Sequence, residues 1–235
     1  KLQKTKEDID AMLTTIVTVD CDFVKKNMEP RFRENPNDID LAKKIFSFML
    51  KGKCTDDPLW MQAAEVVIQH EPDFTITKNL GLKYFSQENY AKAEELFKKA
   101  IESAPSPADK SDVLIYLAGI EAKKGNKSGA RQLLQQALAA SPGNKEAYEK
   151  MGDLYMSSFA DCAKEKSFAE DRLVFIAAYE MYSKAGNQQK MAQAKAQFPS
   201  KTELFEVNWN EGDTKKIEGC WLNEAVVLQA RPENN

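Results

Sequence analysis

The sequence predicts an all-α fold of stacked helical hairpins that ends in a small β-hairpin. Apolar and small residues recur at helical spacing in paired segments, most clearly within residues 79–105. Prolines punctuate the chain at regular intervals and are expected to end helices: Pro36, Pro72, Pro105 and Pro142. Beyond Pro199 the spacing changes to near-alternation, which favours short strands.

Composition narrows the class of protein. The 235 residues are 43% apolar and 29% charged, enough to bury a substantial core. The net charge of −3, with lysines and glutamates interspersed, gives no field that would hold a polyanion, so we expect no nucleic-acid binding. No apolar run reaches the roughly 20 residues that span a bilayer, and we do not expect the chain to be membrane-spanning. It begins at Lys1, as a mature form does after removal of a leader, so we expect a signal segment outside it.

The clearest pair of helices is encoded by NLGLKYFSQENYAKAEELFKKAIESAP, residues 79–105. The spacing predicts one helix over about 74–87 and a second over about 91–103. Gly81 and Ala93 are small enough to let the two helix backbones approach closely. Because a single hairpin leaves its second apolar face uncovered, neighbouring hairpins are expected.

The same pattern recurs twice downstream. Shifted by 37 residues, a second copy repeats the small and apolar positions at Leu117, Ala118, Ala130, Leu134, Ala137 and Pro142. A third copy begins 34 residues further on with Met151, Gly152 and Tyr155. Its second half, at Ala178, Tyr182 and Ala185, is delayed by about fourteen residues, so we expect an insertion over 157–171.

The spacing Leu-Gly-x2-Tyr-x8-Ala-x3-Phe-x2-Ala-x4-Pro in residues 80–105 resembles the tetratricopeptide repeat (TPR), a helix-turn-helix unit. The resemblance implies a TPR-type right-handed α-α superhelix, or solenoid, with repeats at 74–107, 111–144 and 145–187. We therefore divide the chain into N-terminal helices with degenerate repeats, a repeat region with a final helix, and a β-containing cap, at 1–73, 74–197 and 198–235.

Secondary structure outside the three repeats is less regular. Further helices are predicted near 6–18, over 20–34, 38–51 and 58–69, and near 188–197. Two strands of a hairpin are predicted at 214–218 and 225–231. Trp209 and Trp221 are expected to pack this tail onto the last helices rather than to form a ligand platform.

Four cysteines lie far apart, with no CxxC pair: Cys21, Cys54, Cys162 and Cys220. Their even number allows two disulfides or four buried free thiols. Pairing by proximity in the chain gives Cys21 with Cys54 in neighbouring N-terminal hairpins, and Cys162 in the insertion with Cys220 in the tail. Each bridge would fix an irregular region at one end of the array. Free thiols in a cytosolic TPR protein remain the alternative.

The tail EGCWLNE, residues 218–224, resembles the C-terminus of exported TPR proteins of some Gram-negative bacteria, which carry a GCW-containing β tail. That resemblance implies a periplasmic or cell-envelope location and oxidised cysteines. It implies no settled activity.

Residues for catalysis do not converge in this sequence, so we expect no enzyme. His70 is the single histidine, and its place beside Pro72 predicts a helix C-terminus instead of a catalytic base. The Asp20-x-Asp22 and Asp56-Asp57-Pro58 stretches are interpreted as helix caps. Without clustered Cys and His or a glycine-rich phosphate loop, we expect no metal and no cofactor.

The TPR resemblance implies that ligands bind in a concave groove, which is lined by the first helix of each repeat. In the strictest copy the groove positions are Thr75, Lys78, Leu82, Phe85 and Ser86. In the second copy they are Asp112, Ile115, Gly119, Ala122 and Lys123. In the third they are Glu146, Glu149, Asp153, Met156 and Ser157. A mixed groove with an apolar patch and an acidic end suits an apolar peptide or helix.

One known subtype of the family is excluded by the residues themselves. The carboxylate clamp, which binds acidic chaperone tails, needs Asn where Leu82 stands and Lys where Asp112 stands. The resemblance then implies a non-catalytic scaffold or adaptor that binds a protein or peptide through its concave face. The alternative is a structural, self-associating envelope component, in which the N-terminal helices or a homodimer partner fill the groove.

Overall fold

The computed structural model describes residues 20–232. Helices make up most of this range and a two-stranded antiparallel sheet lies near its end, as the predicted class requires. The chain forms two compact units, one ending at Ser103 and the other beginning at Ala104. The helix predicted near 6–18 lies outside the described residues.

The first unit is built from helices that pack in pairs. They are α1 (Cys21–Asn27), α2 (Glu29–Glu34), α3 (Ile39–Lys51), α4 (Pro58–His70), α5 (Phe74–Ser86) and α6 (Tyr90–Glu102). Helix α3 packs on α4, α4 on α5, and α5 on α6. The largest side chains fully buried in this unit are Ile45, Met49, Trp60, Leu80 and Phe97. The helix pair predicted from residues 79–105 is confirmed to within a residue at each boundary.

Acidic residues begin these helices, as predicted. The Asp20 side chain accepts a hydrogen bond from the backbone N–H of Phe23 at 2.8 Å, and Asp57 accepts one from that of Leu59 at 3.0 Å. Pro58 occupies the first turn of α4, where its missing N–H breaks no helical bond. These carboxylates satisfy backbone donors that would otherwise lack partners.

The single helix predicted over 20–34 is wrong. The structure breaks it at Met28 into α1 and α2. Pro30 lies in the first turn of α2, and because proline has no N–H it cannot donate to the carbonyl four residues earlier, within α1. The break therefore follows from the position of this proline.

Close approach of α5 and α6 depends on a glycine. A Cβ placed on Gly81 would lie 2.7 Å from Cε1 of Phe97, whose ring is fully buried. The third repeat has the same arrangement, since a Cβ placed on Gly152 would lie 2.5 Å from Cε1 of Tyr182. In both repeats, a glycine on the first helix packs against an aromatic ring on the second helix.

The second unit continues the helix pairs and adds the sheet. Its helices are α7 (Pro107–Lys123), α8 (Lys127–Ala140), α9 (Lys145–Met156), α10 (Phe159–Cys162), α11 (Phe168–Asp171), α12 (Leu173–Ala185), α13 (Gln188–Lys195) and α14 (Lys201–Glu206). Strands β1 (Thr214–Lys216) and β2 (Ala225–Val227) pair antiparallel with Lys215 opposite Val226. Helix α7 packs on α8, α9 on α12, and α12 on α13. The third repeat is therefore formed by α9 and α12, with α10 and α11 inside the predicted insertion.

Two details of the C-terminal region differ from expectation. Both strands are shorter than predicted, although backbone hydrogen bonds from Ile217 to Glu224 and from Leu228 to Asp213 continue the hairpin on either side. Helix α14 was not predicted. It begins with a capping box in which Ser200 and Glu203 bond each other's backbone N–H groups, a signal that the sequence does carry.

Candidate functional site

Five of the predicted groove residues lie on α5 in the first unit: Thr75, Lys78, Leu82, Phe85 and Ser86. Thr75 and Ser86 are exposed and the other three are half-buried. The Lys78 ammonium lies 4.9 Å from the centroid of the Phe74 ring. The Phe85 ring meets Tyr90 edge-on at 5.6 Å. Leu82 is the apolar member of the set that borders a cavity.

A cavity of about 320 Å³ opens beside Leu82. Leu50 of α3 and Trp60 of α4 supply the rest of its apolar lining, so three helices of the first unit contribute to it. Asp56 and Lys83, which also line the cavity, form an ion pair. The result is an apolar depression bordered by one positive and one negative charge, which suits the apolar side chain of a peptide.

Trp60 is the aromatic residue of this cavity wall. Its side chain is 1% exposed and stacks on Phe46 with ring centroids 4.9 Å apart. Its indole Nε1 is buried and has no hydrogen-bond partner among residues 20–232. The contribution of Leu50 and Asp56 to this cavity could not be found from repeat spacing.

Two acidic residues that were predicted to line the groove, Glu149 and Asp153, form ion pairs within the second unit. The Lys190 ammonium of α13 donates to Glu149 at 2.8 Å and to Asp153 at 2.7 Å, both on α9. The hydrogen bond from Lys190 holds the pKa of Glu149 below its ordinary value, and Asn187, which donates to Glu149 at 3.0 Å, acts in the same direction. Tyr182 donates to Asp153 at 2.9 Å. The predicted acidic end is therefore an internal ion-pair network.

The other second-unit candidates differ in exposure. Asp112 accepts a hydrogen bond from the side-chain amide of Asn144 at 3.3 Å. Ile115 is only 4% exposed, and Met156 is half-buried. Ile115 thus lies in the core of the described chain, whereas Asp112 and Met156 retain some accessible surface.

The tail segment 218–224 docks onto the repeats through several kinds of contact. Glu224 accepts a hydrogen bond from the Tyr155 hydroxyl at 2.9 Å and pairs with the Arg131 guanidinium, whose Nε donates to Tyr155 at 3.0 Å. The Trp221 ring lies 6.1 Å from that of Tyr155, and Leu222 is fully buried. Burial raises the pKa of the Tyr155 hydroxyl well above its ordinary value. Trp221 is therefore a packing residue, as predicted.

Both disulfides predicted by proximity are present. Cys21 is bonded to Cys54, with Cα atoms 6.2 Å apart, and Cys162 to Cys220, with Cα atoms 5.1 Å apart. These separations lie in the usual range for the bond. The first links α1 to the segment after α3, and the second links the insertion to the tail.

The described residues include few that could serve in catalysis or metal binding. His70 is exposed and is the last residue of α4. Between residues 20 and 232 there is no group of three or more His, Cys, Asp or Glu side chains that could hold a metal ion. None of the described helices combines the length and apolar character needed to cross a membrane.

Comparison with known proteins identifies the repeats. Residues 84–154 match the tetratricopeptide repeat family. This match covers the end of the first helix and the second helix of the strictest repeat, the whole of the next repeat, and most of the first helix of the third. No curated protein matches the sequence.

Three solved structures with a similar fold have TM-scores above 0.5. A MamA structure has a TM-score of 0.53 at 13% identity and covers 70% of this chain and 86% of its own. A MamA RS-1 ArsTM double mutant has a TM-score of 0.55 at 13% identity, covering 80% and 94%. The pilF protein of Pseudomonas aeruginosa has a TM-score of 0.52 at 12% identity, covering 81% and 78%. At these identities the likeness shows a shared fold.

Proposed function

We propose that this chain, whose residues 84–154 are tetratricopeptide repeats, is a non-catalytic adaptor that binds a protein or peptide through the first helix of its repeats. The observation that carries the proposal is the cavity beside Leu82, lined by Leu50 and Trp60. It lies at a position that the repeat register assigned to the binding face.

The chemistry of this cavity restricts its ligand. Its volume of about 320 Å³ suits one large apolar side chain rather than a whole domain. The ion pair of Asp56 and Lys83 at the same cavity can exchange hydrogen bonds with a peptide backbone on either side of that residue. We therefore expect a peptide or helix that inserts a Leu, Met or Phe side chain.

The proposed location is the periplasm or another part of the cell envelope. Two disulfides support it, since such bonds persist in oxidising compartments and are rare in the cytosol. The tail 218–224, which resembles that of exported TPR proteins, supports the same location. The partner is then another exported protein or an extracytoplasmic segment of a membrane protein.

A selection followed by matched variants tests the binding face. Peptides selected from a random phage-displayed library with the disulfide-intact protein are measured against Leu82→Asp and against Ala91→Asp. Ala91 is exposed on α6, so its substitution adds the same charge away from the cavity. We expect Leu82→Asp to weaken the selected peptides at least tenfold and Ala91→Asp to leave them unchanged. Equal affinities for both variants, with helical content intact, would place binding elsewhere.

A second candidate function, structural self-association, is favoured by two exposed aromatic residues. Phe168 on α11 is 67% exposed and Phe205 on α14 is 81% exposed, and these two helices contact each other. Exposed apolar surface of this kind marks interaction sites. Light scattering on size-exclusion chromatography is expected to show a dimer that Phe205→Ser dissociates. If the protein is a monomer at all concentrations, self-association is rejected and the adaptor function is retained.

A further inference from the structure

A cationic cavity of about 820 Å³ lies in the second unit, apart from the binding face described above. Three cationic side chains line it: Arg172 before α12, Lys195 at the end of α13, and Arg231 after the β-hairpin. No carboxylate is among the described residues that line it. Arg172 borders the insertion and Arg231 belongs to the tail, so two of the three cations come from segments that depart from the repeat.

One carboxylate behind the cavity is shared by both arginines. The Glu203 Oε1 atom lies 3.8 Å from Nε of Arg172 and 3.7 Å from Nη2 of Arg231. The other oxygen of Glu203 accepts the backbone N–H of Ser200 at 2.6 Å in the capping box. Glu203 therefore orients both guanidinium groups but can offset only one of their charges.

Further contacts hold the arginines in place without neutralising them. Arg172 Nη1 donates to the carbonyl of Gln197 at 3.0 Å, and its Nε is buried without a hydrogen-bond partner in the described chain. Arg231 Nη1 donates to the carbonyl of Phe198 at 3.5 Å, and the Arg231 backbone N–H donates to that of Pro199 at 2.9 Å. These positions are set before any ligand binds, so little ordering is needed on binding.

Charge at this site is opposite to that of the chain. Among the described residues, three cations and one carboxylate leave an excess of two positive charges here, whereas the whole sequence carries −3. The global field repels anions, so an anion that binds this protein must be held by local contacts. Arginine pairs are well suited to this because each guanidinium presents a planar fork of donors to an oxyanion.

We propose that this cavity is a second binding site, which takes an acidic peptide segment with neighbouring carboxylates. The cavity is much larger than an inorganic anion needs, and Ala192, Ala196 and Pro232 give it apolar walls for side-chain stems. Arginine clusters of this kind are a general means of recognising acidic motifs. The site goes beyond the proposed function because it lies in the other unit and selects a different chemistry.

The test uses two labelled hexapeptides that differ only in charge, Glu-Glu-Ala-Glu-Glu-Ala and Gln-Gln-Ala-Gln-Gln-Ala. Fluorescence anisotropy with the disulfide-intact chain is expected to show saturable binding of the first and none of the second. Lys195→Gln and Arg231→Gln are each expected to weaken binding about tenfold. Lys166→Gln, an exposed lysine of the insertion, is the matched control and is expected to change nothing.

Several results would overturn this assignment. They are equal binding of the two peptides, an equal loss in Lys166→Gln, or no saturable binding at all. Competition by inorganic phosphate at the concentration of the peptide would instead identify a phosphate site and reject the acidic segment. Lys195 is the last residue of α13, where we expect a substitution to be tolerated. Lys195→Gln therefore tests the site even if Arg231→Gln fails to fold. Leu82→Asp is expected to leave binding of the acidic hexapeptide unchanged, because Leu82 belongs to the other site. A failure of the acidic site can therefore be told apart from a failure of the proposed adaptor function.

Discussion

Glu224, in the tail, accepts a hydrogen bond from the hydroxyl of Tyr155 on α9 at 2.9 Å. The same carboxylate pairs with Arg131 on α8, so one tail residue connects helices of two successive repeats. The tail is consequently an integral part of the second unit, and its removal would leave a buried tyrosine hydroxyl and a half-buried arginine with fewer partners.

Loss of the Glu224 carboxylate should destabilise the protein. Glu224→Ala is expected to lower the free energy of unfolding by about 2 kcal/mol, because hydrogen bonds to charged groups are worth more than neutral ones. Urea denaturation followed by circular dichroism measures the change. Glu218→Ala, at an exposed position of the same tail, should stay within about 0.5 kcal/mol of the wild type. Equal effects of the two substitutions would contradict the anchoring role.

Gly81 should not tolerate even a methyl group. Gly81→Ala is expected to cost about 1–3 kcal/mol of unfolding free energy, because the new Cβ would meet the buried Phe97 ring at 2.7 Å. Gly143→Ala is the control, since a Cβ there has nothing within 4 Å. Thermal unfolding compares the two, and a melting temperature for Gly81→Ala equal to that of Gly143→Ala would show that α5 and α6 are not so closely packed.

The disulfide between insertion and tail should be a major source of stability. Replacing both Cys162 and Cys220 by Ser is expected to cost about 4 kcal/mol, as for loops of this length in the chain-entropy account. Thiol titration of the denatured, unreduced wild-type protein should detect no free thiol. Four free thiols would contradict both the pairing and the proposed export, and a loss below about 1 kcal/mol in the double variant would contradict the stabilising role of this bridge.

Acid should weaken the contact between α9 and α13. Lys190 holds the pKa of Glu149 below its ordinary value of 4.5, so the carboxylate stabilises the fold above that pH and loses this effect as the pH falls through its folded pKa. The difference in unfolding free energy between wild type and Lys190→Met should therefore shrink as the pH falls from about 6 to about 3. Lys145→Met, an exposed control, should show no such trend. A difference that is constant with pH would argue against the ion-pair network.

Helix pairs and their register could be predicted from the sequence because they depend on local spacing. Leu80, Gly81, Tyr84 and Phe97 fix one face of each helix, and small residues mark where backbones approach. The pairing of Cys162 with Cys220 was also predictable, since both belong to segments that depart from the repeat. Such features require no knowledge of how distant helices pack.

Contacts between distant helices could not be predicted in the same way. Glu149 was expected to face a ligand, but Lys190, far along the chain on α13, forms an ion pair with it. Ile115 was expected in the groove and is buried. The cavity beside Leu82 likewise depends on Leu50 and Asp56, which no repeat motif singles out. These are consequences of tertiary packing, which repeat spacing does not encode.

Site-specific cross-linking at Leu82 is a direct test of the proposed binding face. A benzoylphenylalanine replaces Leu82 in one protein and the exposed Ala91 in another, and each is irradiated with a peptide selected by the wild-type protein. We expect a covalent adduct through position 82, mapped by mass spectrometry to an apolar residue of the peptide, and none through position 91. Adducts of equal yield at both positions, or none at position 82 while the peptide still binds, would contradict the proposed binding face.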